Sequence, residues 1–98
     1  MQLTTDEELT RALSRLPGWT VEGGALVQTY TFTDFVDAMR FVNSAAVLAE
    51  QMGHHPDLDI RYNRVKVAVT THDADGITAL DLEFASRLTN YVRASLSP

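Results

Sequence analysis

The chemistry open to this chain centres on its three histidines, His54, His55 and His72. Imidazole is the side chain best suited to moving protons near neutral pH. Two carboxylates stand at informative distances from these rings. Glu50 precedes His54 by four residues, which on a helix places both on one edge. Asp81 falls between Leu88 and Val92 on a helical wheel, inside an apolar face where a carboxylate needs a reason. A carboxylate beside an imidazole favours the charged ring. An imidazolium can protonate a leaving hydroxyl, while a neutral imidazole can take a proton from nitrogen. Such a set fits addition or elimination of water.

Each residue also has a plainer explanation. Histidines near a helix C-terminus interact well with the helix dipole and often do nothing more. Asp81 could complete a cap begun by Thr78, and Glu50 could form a solvated pair with His54 or Arg40. What favours chemistry is concentration: all five side chains sit at the ends of elements that could converge. Other chemistries find no support. Cysteine is absent, which removes thiolate nucleophiles, disulfides and thiolate metal sites. No serine stands in a G-x-S-x-G elbow, and Gly23-Gly24 stands alone rather than in a phosphate loop. Three histidines permit a zinc site in principle, and a zinc hydrolase is an alternative. The spacing is not the H-E-x-x-H pattern, however, so no metal ligands are assigned.

The elements that must position these residues follow from patterning. Thr5 and Glu8 form a capping box, followed by Leu9, Ala12, Leu13 and Leu16 at helical spacing up to Pro17-Gly18. Trp19–Val21 and Ala25–Phe32 read as strands joined at Glu22-Gly23-Gly24. Thr33 is the expected N-cap of a long helix reaching Met52. Phe35, Met39, Val42, Ala46 and Ala49 form one apolar stripe on it, and Ala38, Phe41, Ala45, Leu48 and Met52 a second. Two stripes cover more than one sheet requires, so the helix is either deeply buried or packed against another subunit. Gly53 ends this helix and Pro56 prevents its resumption. Asp57–Tyr62 and Arg64–His72 alternate as two strands with a short connection at Asn63-Arg64, His72 ending the second, away from the valine face. After the turn Asp73–Gly76, Thr78 caps a final helix with Leu80, Phe84, Leu88, Tyr91 and Val92 facing inward. The expected fold is α+β, in the order α-β-β-α-β-β-α: a four-stranded antiparallel sheet with helices on one face.

Composition agrees with that picture. The 98 residues are expected to form one domain, 1–98, with 45% hydrophobic and 21% charged residues. Eight Lys and Arg against 13 Asp and Glu give a net charge of -5, which argues against binding a nucleic-acid backbone. Positive charge gathers only at Arg61-Tyr62-Asn63-Arg64-Val65-Lys66, read as a polar strand face and turn. No apolar run approaches the roughly 18 residues of a membrane span. The acidic N-terminus lacks the apolar stretch of a signal peptide, so the expected location is cytoplasmic.

The run Glu50-x-x-x-His54-His55-Pro56, then five residues to Tyr62, nine to His72 and eight to Asp81 resembles the signature of the pterin-4a-carbinolamine dehydratases. Gly18-Trp19, Tyr30-x-Phe32-x-Asp34-Phe35 and Ala49-Glu50 extend the resemblance over most of the chain. It implies the α+β fold above, self-association as a dimer or tetramer, and dehydration of 4a-hydroxytetrahydrobiopterin to quinonoid dihydropterin. That reaction recycles tetrahydrobiopterin after an aromatic amino-acid hydroxylase system. It uses no cofactor and no metal, the pterin being substrate. By resemblance His54, His55 and His72 are catalytic and bind substrate, with Glu50, Asp81 and Pro56 in support. Glu50 would orient His54, and Asp81 would anchor the loop of His72 or contact the site. Tyr62 would pack in the core or fix its loop. Leu58 stands where some members carry an aromatic residue, so the resemblance supplies no stacking partner for the pterin there. Vertebrate members also serve as dimerisation cofactors of a homeodomain transcription factor. A non-catalytic assembly or coactivator module on the same fold is therefore the alternative reading.

Overall fold

A computed structural model describes residues 2–95. The elements run α1 (Asp6–Leu13), β1 (Thr20–Glu22), β2 (Ala25–Thr31), α2 (Phe35–Met52), β3 (Asp57–Arg61), β4 (Arg64–Val69) and α3 (Ala79–Ser95), with a 3-10 turn at His72–Ala74 before α3. The α+β order expected from patterning is thus the order observed. The strands form one antiparallel sheet in the order β1-β2-β4-β3. Val65, Val67 and Val69 of β4 pair with Tyr30, Gln28 and Leu26 of β2, and Val65 and Val67 also with Ile60 and Leu58 of β3. Because strand side chains alternate, this register puts the three valines on one face, where all are fully buried. Phe41, Ala38 and Ala45 of α2 and Phe84, Ala85 and Leu88 of α3 share that core. Each large side chain buried there contributes about 1.5–3 kcal/mol of transfer free energy. Trp19 closes one end, its Nε1–H donating to Thr89 Oγ1 at 2.9 Å. Tyr30 packs against Trp19, Phe32 and Phe41, and burial pushes its phenol above the usual value of 10.0.

Several boundaries differ from the patterned expectation. The capping box of α1 forms as read, with Thr5 Oγ1 accepting from Glu8 N and Glu8 Oε1 accepting from Thr5 N. The helix nevertheless ends at Leu13, not Leu16. Ser14 Oγ donates to the Arg11 carbonyl, and Arg15 and Leu16 bond three residues back, tightening the last turn before the still-buried Leu16. The N-cap of α2 is Asp34, one residue after Thr33: its carboxylate accepts from Asp37 N at 2.9 Å. Tyr62 is not a core residue. It sits in the β3–β4 turn at φ 50° and is 66% exposed. On α2, the stripe Ala38, Phe41 and Ala45 is buried. Phe35 of the other stripe is half exposed, as are Val36 and Val47 beside it. No helix among the described residues is long and apolar enough to cross a membrane.

Candidate active site

The histidines are placed by three chain ends. α2 stops at Gly53, which takes the left-handed conformation (φ 60°) open to glycine at little cost. His54 N–H then closes back onto the Ala49 carbonyl at 3.0 Å. This reversal sends His54 and His55 in different directions, and half-buried Pro56 starts the run into β3. β4 ends at Val69, three residues short of the expected strand end at His72. Thr71 forms an isolated bridge to Gly76, and His72 opens the 3-10 turn rather than ending the strand. α3 begins after Thr78, whose Oγ1 accepts from Leu80 N.

These ends enclose an open cleft of about 410 Å³ lined by Gly53, His54, His55, Thr70, Thr71, His72, Asp73 and Leu80. The volume lies within the roughly 300–1,000 Å³ of small-molecule sites. All three imidazoles border it. A second groove, between α2 and α3, is lined by Ser44, Val47, Leu48, Gln51, Arg87, Leu88 and Tyr91, and brings together no comparable set of proton-transfer groups.

Pairing around the cleft differs from the sequence expectation. Glu50 does not meet His54; its Oε2 lies 2.5 Å from His55 Nε2, with both side chains largely exposed. The turn at Gly53 removes His54 from the helical edge that Glu50 occupies. Across the cleft floor His54 meets Asp81, Nε2 to Oδ1 at 2.5 Å, with His54 nearly buried and Asp81 wholly so. Asp81 Oδ2 accepts from the Thr78 amide at 2.8 Å and from the Thr71 hydroxyl at 2.7 Å. Asp81 therefore does both things considered for it. One oxygen caps α3 and the other holds a histidine. Through Thr71 it also grips the segment that leads into His72.

An ionised carboxylate only accepts, so His54 donates its Nε2–H to Asp81. Nδ1 has no hydrogen-bond partner among the described residues and keeps some solvent exposure, on a residue that lines the cleft. One imidazole nitrogen is thus locked by a buried anion while the other is free to exchange a proton, an arrangement suited to acid–base catalysis. His55 and His72 are exposed and add two more imidazoles at the rim. Among the described residues no three His, Asp or Glu side chains assemble into a metal-ligand set.

Sequence reasoning singled out all three histidines and Asp81, but missed Thr71 and, beyond its role as a cap, Thr78. Thr71 lies directly before His72, and a hydroxyl next to a candidate histidine was the available signal.

Comparison with known proteins adds an independent line. Residues 2–91 match the family described as Pterin 4 alpha carbinolamine dehydratase. A protein of Nostoc sp., provisionally named pterin-4-alpha-carbinolamine dehydratase, is 48% identical over 87 residues, covering 89% of this chain and 94% of the relative. One of Thermomicrobium roseum with the same provisional name is 51% identical over 83 residues, covering 85% and 89%. The crystal structure of a transcriptional coactivator/pterin dehydratase from Brucella melitensis superposes with a TM-score of 0.85 at 38% identity, covering 90% of this chain and 96% of that one. A pterin dehydratase-like protein identified as a RuBisCO assembly factor in the alpha-carboxysome shares the fold at a TM-score of 0.61 and 18% identity, covering 74% and 83%.

Proposed function

The chain belongs to the pterin 4 alpha carbinolamine dehydratase family, and from that premise we propose that it is a hydro-lyase converting 4a-hydroxytetrahydrobiopterin to quinonoid dihydropterin and water. The observation that carries this reading is the cleft where three imidazoles meet, one of them backed by a buried carboxylate. The reaction needs only proton movements. A protonated histidine gives its proton to the 4a-hydroxyl oxygen. The C4a–O bond breaks and water leaves. A neutral histidine takes the proton from N5, and the N5–C4a double bond forms. His54, with Nδ1 open and Nε2 fixed, is suited to one of these transfers, and His72 on the facing segment to the other. His55, steadied by Glu50, is placed to hydrogen-bond the pterin. No cofactor or metal enters this scheme.

The same premise extends to context. The proposal places the enzyme in tetrahydrobiopterin recycling beside an aromatic amino-acid hydroxylase system, in the cytoplasm, as one domain spanning 1–98. Self-association as a homodimer or homotetramer is part of it, supported by Phe35, Val36 and Val47 exposed along α2. That exposed face is also what favours the second reading, a non-catalytic assembly or coactivator module.

The purified protein decides between them. It should bind an unreactive dihydropterin with shifts in the signals of all three histidines, and should accelerate loss of the 4a-hydroxypterin absorbance. An oligomer that neither binds the dihydropterin nor changes that decay would favour the assembly reading.

A further inference from the structure

We propose that Asp73 recognises the donor edge of the pterin, its carboxylate taking the 2-amino group and N3–H together while the imidazoles face the reacting atoms. This inference rests on the reading of the cleft as a pterin site. It adds the residue that selects a 2-amino ring over its 2-oxo counterpart.

The pairing of the cleft wall supports it. Thr70 Oγ1 donates to the Gly24 carbonyl at 3.0 Å, and Thr71 Oγ1 to Asp81. His54 is held by Asp81 and His55 by Glu50. Of the polar side chains lining the cleft, that leaves His72 and Asp73 with no hydrogen bond or ion pair among the described residues. Asp73 is also the one carboxylate among those lining side chains. Glu50, the other exposed acid beside the histidines, does not line the cleft and is engaged by His55. Nor does Asp73 serve as a cap, since the 3-10 turn it belongs to starts without a side-chain cap bond.

The chemistry of the substrate calls for such a group. The 2-amino N–H and N3–H of a pterin lie side by side and parallel. An ionised carboxylate only accepts, through two oxygens, and matches such a pair as it matches a guanidinium fork. A neutral imidazole offers one lone pair and cannot take both. In the pyrimidine ring C2 stands opposite C4a, so the amino edge points away from the hydroxyl that leaves. A pterin that presents C4a and N5 to the imidazoles therefore turns its amino edge to another part of the wall. Asp73 follows His72 within a 3-10 turn, where successive side chains diverge by about 120°. It thus stands off from His72 and is free to meet that second edge.

The test compares two unreactive ligands by calorimetry on the full chain at neutral pH. 7,8-Dihydropterin carries the 2-amino group, and 7,8-dihydrolumazine carries an oxygen in its place. Wild type should bind dihydropterin about 10-fold more tightly, the scale of a hydrogen bond to a charged group. Asp73→Ala should lose most of that preference by weakening dihydropterin alone. Asp73→Asn should reverse it, because an amide pairs with the 2-oxo and N3–H of dihydrolumazine but sets donor against donor with dihydropterin. Asp73 is exposed and unbonded, so both variants should melt with wild type. In the dehydratase assay Asp73→Ala should raise KM about 10-fold with kcat little changed, as for a group that binds ground and transition states alike. Equal wild-type affinity for the two ligands, or a wild-type preference surviving in Asp73→Ala or Asp73→Asn, would overturn the proposal even in an active dehydratase. The predicted preferences in a protein with no dehydratase rate would support Asp73 as the selecting residue and sink the catalytic reading alone.

Discussion

Replacing Asp81 by asparagine changes one atom and should invert the acid–base polarity of the site. Asp81 is fully buried, and its oxygens take three donors at 2.5–2.8 Å: His54 Nε2, the Thr71 hydroxyl and the Thr78 amide. An asparagine has one acceptor oxygen and one donor NH₂. The Thr78 N–H must find the oxygen, because the reverse orientation sets donor against donor. The NH₂ then faces His54, whose Nε2 has to accept. The His54 proton moves to Nδ1, and the nitrogen open to the cleft loses its lone pair. An imidazolium would again oppose two donors, so His54 also loses its use as an acid. Acid–base catalysis by a placed side chain is worth about 10²–10⁴ in rate, or about 3–5 kcal/mol of barrier, and kcat should fall by that factor. The stability cost is smaller. Three charge-assisted bonds become neutral, each weaker by about 1 kcal/mol, while relief of a buried charge returns part of it. A net loss of about 1–3 kcal/mol would lower Tm by about 4–8 °C per kcal/mol in a domain of this size. The assays are turnover of the 4a-hydroxypterin, histidine nitrogen shifts and a thermal melt. An Asp81→Asn protein with wild-type turnover, or with His54 still protonated on Nε2, would refute the reasoning.

Other outcomes follow from the same geometry. Glu50→Gln removes a pair that is largely solvent-exposed, so stability measured by denaturant should change by less than about 0.5 kcal/mol, and turnover should fall less than in Asp81→Asn. Trp19→Phe deletes the buried bond to Thr89 and leaves a void beside it; a loss of about 1–3 kcal/mol is expected in urea unfolding. Tyr30 behaves differently with pH. Burial raises its folded pKa above 10.0, so the folded state holds the phenol proton more tightly than the unfolded chain does. That contribution is complete below pH 10.0 and is lost as pH rises from there through the folded value. Tyr30→Phe should therefore flatten the alkaline fall of Tm. Near neutral pH the substitution should cost little, because the hydroxyl is buried without a hydrogen-bond partner among the described residues.

Local rules made much of this molecule legible. The capping box at Thr5 and Glu8, the alternation of Val65, Val67 and Val69 and the helix end at Gly53 each depend on neighbours a few residues apart, and each stands where patterning put it. The pairing of acids with histidines did not follow from spacing. The i,i+4 relation between Glu50 and His54 assumes that the helix continues, but Gly53 reverses the chain between them. His54 therefore found Asp81, 27 residues away, and Glu50 found His55. Thr71 and Asp81 likewise meet only because a 3-10 turn folds the segment between them back. Side-chain alternation gave Tyr62 a place along a strand, yet it lies at the hairpin tip with a positive φ and points no ring into the core.

The most direct measurement is the rate of loss of 4a-hydroxytetrahydrobiopterin with wild type and with the double variant His54→Ala/His72→Ala, at equal concentrations of folded protein. Wild type should speed the decay well above the buffer rate, and the double variant should return it to the buffer rate. A double variant as active as wild type would contradict the assignment of the reaction to this cleft.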